Sequence, residues 1–317
     1  MTVKFENIIE FNDGLACVQI NKKWGFINKN GEIVIEPKYD TSTRFSEGFA
    51  SIKVNNKYGY IDKTGKIIIE PRFDIAYSYS EGLTAVAYKK PFGYKYFYIN
   101  KSGHIAFQSH FNFASDFCEG LAAIKKGNKW GYIDQEGKVV IEPQYYDAND
   151  FVNGYAAVAI KKLFQKPVYT YINKKGKFIC EPKFDSCFEF TDGLALVIVD
   201  NLLGFINTKG KYVIKPTFED AGEFSEEKAP VLEKDKWGYI DTNGKMIIEP
   251  KFDDAYDFKM GLAPVELDGK WGYIDSDGNF VIKPQYELAD TFSEGFAYVS
   301  TEDEYFMIDK TGKRVIG

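Results

Sequence analysis

Apolar and polar positions alternate along short stretches of this chain, and glycine-bearing turns separate the stretches. Residues 250–283 serve as the model repeat, with candidate strands at 261–265, 270–275 and 279–282, and with Gly269 and Gly278 in the turns between them. Alternation with a period of two is typical of a β-strand that buries one face. Short strands joined by glycine turns therefore predict an antiparallel meander of three strands.

The same pattern recurs nine times, with one landmark pair in each copy. The pair is Trp24-Gly25, Tyr58-Gly59, Trp130-Gly131, Trp237-Gly238 and Trp271-Gly272, with degenerate copies at Tyr96, Tyr169, Leu203 and Tyr305. Successive landmarks lie 34 residues apart, except for 38 before Tyr96 and 39 before Tyr169. A fixed period of this size predicts one repeat domain over 1–317. Its predicted repeats are 2–36, 37–70, 71–108, 109–142, 143–181, 182–215, 216–249, 250–283 and 284–317.

The repeated positions separate buried faces from turns. A β-branched residue recurs in the first strand of every copy, from Val18 to Val299, and Asn or Asp precedes a turn glycine by three residues, as in Asn28 and Gly31. The side chain of Asn or Asp can cap the turn, and glycine supplies a positive φ. The third strand is apolar on consecutive residues, as in 67–69, which predicts cover on both faces.

Two aromatic positions are filled in every copy and flank the connection between repeats, so we interpret them as inter-repeat packing. One position holds Phe5, Tyr39, Phe73, Phe111, Tyr145, Phe184, Phe218, Phe252 and Tyr286, and the other holds Phe11, Phe45, Tyr79, Phe117, Phe151, Phe190, Phe224, Phe258 and Phe292.

The repeated unit, with its Lys-Trp-Gly-Tyr-Ile-Asp core followed by Ile-Glu-Pro, resembles the WG (KWG) β-repeat family of bacterial proteins over the whole chain. The third and fifth repeats depart from the family pattern, with Tyr96-Phe97 and Tyr169-Thr170 at the landmark and Gln108-Ser109 in place of Glu-Pro. The resemblance implies a tandem β-repeat scaffold. It implies no shared activity that could be transferred residue by residue.

Stacked repeats can form an open array or a closed one. Nine blades of three strands lie outside the usual range of propellers, which have four to eight blades of four strands. The sequence therefore predicts an all-β, open, twisted β-solenoid, with a closed or nearly closed propeller-like ring as the alternative. An open array needs a terminal cap, and the charged stretch 302–304 of the last repeat is the predicted cap.

Composition narrows the classes of partner and location. The net charge of −6 argues against a nucleic-acid or anionic-membrane surface, and no apolar run approaches the length that spans a bilayer. The start of the chain shows no signal-peptide pattern, so we expect a cytoplasmic protein. The four cysteines, Cys17, Cys118, Cys180 and Cys187, have no metal-ligand spacing. We interpret them as small core residues, with a disulfide or metal role as the alternative.

No catalytic or cofactor motif stands out. The chain has two histidines, His104 and His110, which we interpret as loop residues. An acidic residue precedes the strand glycine in several repeats, and its recurrence indicates a structural or surface role; its members are Asp13, Glu47, Glu81, Glu119, Asp192 and Glu294. We therefore expect no enzymatic activity, no metal and no cofactor.

The copies differ most where two of them are longer. Both insertions fall between the first two strands and carry lysines and aromatics on an acidic chain, which predicts a recognition surface. The candidate residues are Lys89, Lys90, Phe92, Tyr94 and Lys95 in the third repeat, and Lys161, Lys162, Phe164 and Lys166 in the fifth. The competing interpretation is neutral insertion, since loop tips tolerate extra residues.

The leading functional prediction is a non-catalytic scaffold that binds a protein or peptide, possibly an acidic one, along an extended surface. The alternative is a carbohydrate-binding or envelope-associated module that uses exposed aromatics as sugar platforms. Binding that weakens with salt favours the first, and salt-insensitive glycan binding favours the second.

Overall fold

A computed structural model describes residues 5–316, and within them every regular element is a β-strand. Residues 1–4 and 317, which include the outer limits of the predicted domain and of its first and last repeats, lie outside the described part. The described chain divides into two compact modules. The N-terminal module holds residues 5–151 and Ile316, and the C-terminal module holds residues 152–315.

Strands in the first four repeats are β1 (Asn7–Asn12), β2 (Leu15–Ile20), β3 (Lys23–Asn28), β4 (Ile33–Tyr39), β5 (Thr41–Ser42), β6 (Phe49–Val54), β7 (Lys57–Asp62), β8 (Ile67–Phe73), β9 (Ile75–Ala76), β10 (Leu83–Lys90), β11 (Gly93–Asn100), β12 (Phe113–Cys118), β13 (Leu121–Lys126), β14 (Lys129–Asp134) and β15 (Val139–Tyr145). The later repeats contain β16 (Asp147–Ala148), β17 (Tyr155–Ile160), β18 (Val168–Asn173), β19 (Ser186–Thr191), β20 (Leu194–Val199), β21 (Leu202–Asn207), β22 (Tyr212–Phe218), β23 (Lys228–Glu233), β24 (Lys236–Asp241), β25 (Met246–Phe252), β26 (Asp254–Ala255), β27 (Ala263–Leu267), β28 (Lys270–Ile274), β29 (Phe280–Tyr286), β30 (Leu288–Ala289), β31 (Phe296–Ser300), β32 (Tyr305–Asp309) and β33 (Arg314–Ile316).

A regular repeat is a four-stranded antiparallel sheet in chain order, as in β5-β6-β7-β8, so the predicted three-stranded meander is wrong for such repeats. The additional strand lies in the connection between repeats. Strand β5 has two residues, and it pairs Thr41 with Lys53 and Ser42 with Ile52. Two residues are too few to show an alternation, which explains why the sequence pattern did not reveal β5, although the six-residue counterparts β1, β12 and β19 were missed as well.

The turn prediction is confirmed. In the first repeat, Oδ1 of Asn28 accepts hydrogen bonds from the backbone N–H groups of Asn30 and Glu32, at 2.9 and 3.0 Å. Gly31 closes the turn with a φ of 78° and donates its N–H to the carbonyl of Asn28. The capped turn fixes the register of the last two strands of the repeat.

Neighbouring repeats pack through the second aromatic position, as predicted. The Tyr60 ring contacts the Tyr79 ring of the next repeat edge-on, with centroids 5.0 Å apart, and the Tyr60 hydroxyl donates to the carbonyl of Tyr77 at 2.8 Å. Equivalent ring contacts recur at Phe26–Phe45, Tyr98–Phe117, Tyr132–Phe151, Tyr171–Phe190, Phe205–Phe224, Tyr239–Phe258 and Tyr273–Phe292. Each repeat therefore covers the core of the one before it.

The predicted open solenoid is wrong, because the end of the chain returns to its first repeat. Inside the array, Ile35 packs on the turn glycine of the next repeat, and a Cβ built on Gly65 would lie 3.3 Å from Cγ1 of Ile35. Ile316 makes the same contact with Gly31 of the first repeat, at 3.5 Å. The repeats are blades of the propeller-like arrangement that was the alternative. The predicted terminal cap is not needed, and Glu304 instead forms a two-bond ion pair with Arg314.

The prediction that the third apolar stretch is covered on both faces is also wrong. Ile67 and Ile68 are 40% and 36% exposed, whereas Ile69 is buried. This strand is the outer edge of its blade, so one side packs against the turn of the next repeat while the other side meets solvent.

Candidate binding site on the third repeat

The glycine of the landmark pair is a close-approach point for the outer strand. A Cβ built on Gly59 would lie 2.4 Å from the carbonyl oxygen of Ile69 and 2.6 Å from the nitrogen of Pro71. These distances are shorter than any non-bonded contact allows, so only glycine permits the outer strand to close on β7. The same approach recurs at Gly25, Gly131, Gly204, Gly238 and Gly272.

The third repeat has Phe97 at this position. The Phe97 side chain is buried against Phe73 and Tyr88, with ring centroids 6.1 and 5.4 Å away. The chain after β11 still bridges at Ile99–Ile105 and Tyr96–Phe111, but it forms no regular fourth strand, and the sheet stops at β11-β10-β9. The outer segment is hydrogen-bonded to β11 at its two ends, where Ala106 donates to the carbonyl of Tyr98 at 2.9 Å and Phe111 donates to that of Tyr96 at 3.0 Å. Residues 107–110 lie between these bonds and opposite Phe97, where a regular repeat has the close approach at glycine.

The insertion in the third repeat lengthens a paired hairpin. Strands β10 and β11 have eight residues each and pair from Leu83–Asn100 to Lys90–Gly93, whereas β6 and β7 have six each. The hairpin ends in the turn 91–92, where Phe92 is 100% exposed. The predicted loop is therefore a projecting β-hairpin that presents a fully solvated aromatic ring.

One face of this hairpin and the outer segment enclose a groove of about 230 Å³. Tyr88, Lys90, Lys95 and Phe97 line it from the hairpin, in keeping with the period-two alternation of side chains. Ile105, Phe107, Gln108, Ser109 and His110 line it from the outer segment. We call this cavity the third-repeat groove.

A second recess of about 400 Å³ lies on the other side of the outer segment, so Gln108, Ser109 and His110 separate the two cavities. Lys126 lines the second recess, together with Ile124, Phe111, Gly137 and Val139. Phe107 fills the place that isoleucine takes in other repeats and packs on the next turn, where a Cβ on Gly137 would lie 2.4 Å from Cδ2 of its ring.

The lining of the third-repeat groove is positively charged, although the protein as a whole is acidic. Its lining contains Lys90 and Lys95 and no carboxylate, although the chain carries a net charge of −6. Asp74, which precedes β9, forms an ion pair with Lys57 of β7 at 2.6 Å and also accepts a hydrogen bond from the N–H of Lys89. The groove therefore combines an apolar base with exposed ammonium groups.

The fifth repeat also lacks the landmark glycine, but a side-chain hydrogen bond holds its outer segment. Thr170 is fully buried there, and its hydroxyl donates to the carbonyl of Cys180 at 2.8 Å, which ties the outer segment to β18. The insertion runs between β17 and β18 as an irregular loop, in which Leu163 and Phe164 are 81% and 96% exposed.

The structure places the predicted site residues in three settings. Lys90 and Lys95 line the third-repeat groove. Lys89, Phe92 and Tyr94 lie on the hairpin outside the groove lining, with Tyr94 41% exposed, and Lys161, Lys162, Phe164 and Lys166 belong to the loop of the fifth repeat. Some other aromatics outside the repeat register are packed, since Tyr77, Tyr88 and Tyr155 are half-buried and Phe97 is buried.

The recurring acidic residues are links between blades, which confirms their structural interpretation. Oε2 of Glu47 accepts a hydrogen bond from the N–H of Gly82 in the next repeat at 2.9 Å, and Lys101 lies 3.1 Å away. Asp13, Glu81 and Asp192 accept equivalent bonds from the backbone of the following repeat. These carboxylates are engaged in holding the turns, not placed around a cavity.

The cysteines behave as packing residues where they are buried. All four are free thiols, with Cys17 and Cys187 buried and Cys118 and Cys180 partly buried. Burial raises the pKa of the Cys17 thiol to about 12, and burial also raises the pKa of Cys187. A raised pKa disfavours the reactive thiolate. Among residues 5–316, no cluster of three or more His, Cys, Asp or Glu side chains is arranged to hold a metal ion.

A buried carboxyl pair lies beside the third repeat. Burial, with the nearby charge of Asp150, raises the pKa of Asp116 to about 6, and within the described chain no donor reaches its buried Oδ1. Burial also raises the pKa of Asp150, against the effect of the Ser115 hydroxyl that donates to it. The folded state therefore binds the Asp116 proton more tightly than the unfolded chain does, and stability falls as pH rises from about 4 to about 6.

We expect Asp116→Asn to stabilise the protein at pH 7.5 by roughly 1 to 2 kcal/mol, because the amide removes a partly desolvated charge. The gain should shrink toward zero as the pH is lowered to about 4, where the wild-type carboxyl is protonated. Denaturant unfolding at several pH values measures it, with the exposed Asp277→Asn as the control. A gain that is the same at both pH values would contradict the assignment.

No helix in the described residues has the length and hydrophobicity needed to cross a membrane.

Similar solved structures include KlHsv2 with loop 6CD replaced by a Gly-Ser linker, at 10% identity and a TM-score of 0.42, covering 73% of this chain and 91% of that one. The β-propeller domain of the Trilobed protease from Pyrococcus furiosus matches at 9% identity and a TM-score of 0.41, covering 99% of each chain. PorZ from Porphyromonas gingivalis matches at 11% identity and a TM-score of 0.35, covering 99% of this chain and 52% of PorZ. Comparison with curated protein sequences gives no match.

The WG containing repeat model matches the chain nine times, at residues 3–24, 24–58, 58–89, 96–130, 130–164, 169–202, 204–237, 237–271 and 271–305. The matches leave out 90–95 and 165–168, which lie in the two insertions that the repeat spacing had singled out. The shared pattern thus leaves out the tip of the projecting hairpin of the third repeat. The chain belongs to the family of proteins built from WG-containing repeats.

Proposed function

We propose that this protein is a non-catalytic propeller scaffold that binds a protein or peptide partner through the lengthened segments of its third and fifth repeats. The observation that carries the proposal is Phe92, a fully exposed phenylalanine at the end of a paired hairpin that also bears Lys89, Lys90 and Lys95. A large apolar side chain held in solvent on an ordered element contributes nothing to the core. Aromatic anchors with a charged surround are typical of protein-binding surfaces.

The non-enzymatic part of the proposal is supported by the placement of the candidate acid-base residues within residues 5–316. The two histidines are exposed, with His104 in a capped turn and His110 at the edge of the groove. The recurring carboxylates bind backbone N–H groups of adjacent repeats. Catalysis needs a nucleophile, an acid or base and a binding cavity within reach of one another, and the groove contributes only lysines, a histidine and neutral side chains.

Quantitative affinity capture tests the proposal with the full chain as bait and a lysate of the cells that make it. The hairpin variant is Phe92→Ser with Tyr94→Ser, and the loop variant is Leu163→Ser with Phe164→Ser. The matched control is Tyr146→Ser with Val281→Ser, which removes two apolar side chains that are 43% and 47% exposed outside both insertions.

We expect at least about a tenfold loss of specific partners for the hairpin and loop variants and no loss for the control, since aromatic anchors commonly supply 2 kcal/mol or more. Capture should also weaken as salt rises, because the lysines act through screened charge. The same partners at the same yield from all four baits would contradict the proposal. Glycan binding that does not respond to salt would favour the carbohydrate alternative.

A further inference from the structure

We infer that the third-repeat groove binds a short acidic peptide segment, with one apolar side chain in the groove and flanking carboxylates on Lys90 and Lys95. The inference rests on the proposed function and names the chemistry of the partner at one of its sites. It concerns the cavity beside the hairpin, whereas the proposed function is tested at Phe92 and Tyr94 on the hairpin itself.

The size of the groove fits a side chain better than a whole metabolite. Cavities that enclose drug-sized ligands usually measure about 300 to 1,000 Å³. The third-repeat groove measures about 230 Å³, and Tyr88, Phe97, Ile105 and Phe107 give it an apolar lining. Ile105 is 56% exposed, so the cavity is accessible from solvent. A phenylalanine or leucine side chain of a partner would cover this apolar surface.

The positive charge of the groove favours a partner peptide with acidic residues on either side of that apolar side chain. Lys90 and Lys95 are exposed, and neither forms an ion pair with any carboxylate of the described chain. Both lie on the hairpin face that lines the groove, where Lys95 pairs across the strands with Tyr88 and Lys90 lies two residues further along β10. Ammonium groups left without a partner beside an apolar cavity complement a peptide that carries Asp or Glu next to its apolar residue.

The same features argue against a phosphate ligand. The lining contains no arginine to grip a phosphate with two parallel bonds, and no helix N-terminus is present at the groove. The net charge of −6 opposes a polyanion such as nucleic acid, whose binding needs many cationic contacts. A carboxylate-bearing peptide needs only the two lysines that the groove supplies.

Fluorescence anisotropy with synthetic probes tests the inference. The acidic probe is fluorescein-labelled Asp-Glu-Phe-Glu-Asp, and the comparison probes replace its Phe with Ser or its acidic residues with Lys. We expect the wild-type protein to bind the acidic Phe probe with a dissociation constant of roughly 10 to 300 μM in low salt, because a single small site supplies little contact area. Both comparison probes should bind at least about tenfold more weakly.

Lys90→Gln with Lys95→Gln should weaken binding of the acidic Phe probe at least about tenfold. The control, Lys66→Gln with Lys138→Gln, removes the same charge from two other exposed lysines of the N-terminal module and should change binding less than about twofold. Phe97→Gly should also abolish binding, because glycine lets the outer segment close on β11 as it does at Gly59. All substituted lysines are exposed, so these variants remain informative if Phe97→Gly fails to fold.

No saturable binding by the wild type, or equal weakening by the groove and control variants, would overturn the inference. Equal binding of the Phe and Ser probes would overturn the assignment of an apolar subsite. The hairpin variant Phe92→Ser with Tyr94→Ser should bind the probe like the wild type. A further outcome separates the two proposals. If the Lys90/Lys95 variant still captures the partner and every variant still binds the probe, the groove is rejected as the binding site, whereas the proposed function is not.

Discussion

Gly238→Ala is expected to destabilise the protein by about 3 kcal/mol or more, although it adds a single methyl group. The Cβ would lie 2.5 Å from the carbonyl oxygen of Ile248 and 2.8 Å from the nitrogen of Pro250, which are backbone atoms of the outer strand and cannot rotate aside. Overpacking of this kind displaces a strand or strains the blade. Thermal unfolding should show a midpoint lower by roughly 10 °C.

Gly261→Ala is the matched control in the same module. Gly261 has a φ of +84° and no atom within 4 Å of an added Cβ, so the substitution meets backbone strain without a clash. Its cost should be about 1 kcal/mol, the usual penalty for a left-handed residue with a side chain. If the two variants lose equal stability, or if Gly261→Ala loses more, the landmark glycine is not the closing point of the blade.

This role of the landmark glycine explains why the two departures from the family pattern have structural consequences. Phe97 occupies the place of the close approach, and the outer segment beside it lines a groove although its ends are bonded to β11. Thr170 keeps its segment close by donating a hydrogen bond to the carbonyl of Cys180. Phe97 and Thr170 both lie in repeats that carry insertions, whereas the last repeat has Phe306 at the glycine position and no insertion.

Much of the blade could be predicted from sequence because its determinants are local. The Asn28–Gly31 turn depends on residues three apart, and the burial of Val18 depends on alternation within one strand. The inter-repeat ring contacts, such as Tyr60 with Tyr79, could be predicted because both partners recur at fixed positions. Repetition supplied the information that an alignment of different proteins would otherwise provide.

The arrangement of the repeats could not be predicted in the same way. Whether Ile316 meets solvent or Gly31 depends on small rotations accumulated over all the repeats, and no single residue determines them. The inner strand β5 escaped detection because two residues carry no periodic signal. The exposure of Ile68 was missed for a different reason, since consecutive apolar residues in the last strand were taken to indicate cover on both faces.

One wall of the candidate site could be predicted from the sequence, and the other could not. The insertion pointed to Lys90 and Lys95, because extra residues of opposite charge to the rest of the chain are visible in sequence. The opposite wall, residues 105–110, was missed because it belongs to the repeat itself and not to an insertion. A signal was present in Phe97, Gln108 and Ser109, which depart from the family pattern, but its meaning required the distance between Gly59 and the outer strand.

Removal of the Phe97 side chain is the second change with a large expected effect. Phe97 is buried, so Phe97→Ala should cost about 3 kcal/mol or more through lost contacts with Phe73 and Tyr88. Phe97→Gly loses the same contacts and one further carbon atom. In an ordinary strand, glycine is less stable than alanine by about 0.5 to 1 kcal/mol.

The stability difference between Phe97→Gly and Phe97→Ala, measured by denaturant unfolding, tests most directly whether Phe97 is what holds the groove open. If it is, glycine allows the outer segment to close on β11, whereas the alanine Cβ still blocks it, as a Cβ at Gly59 would at 2.4 Å from the carbonyl oxygen of Ile69. Phe97→Gly should then be the more stable variant, by about 1 kcal/mol or more, in reverse of the usual order. An alanine variant that equals or exceeds the glycine variant in stability would contradict the account.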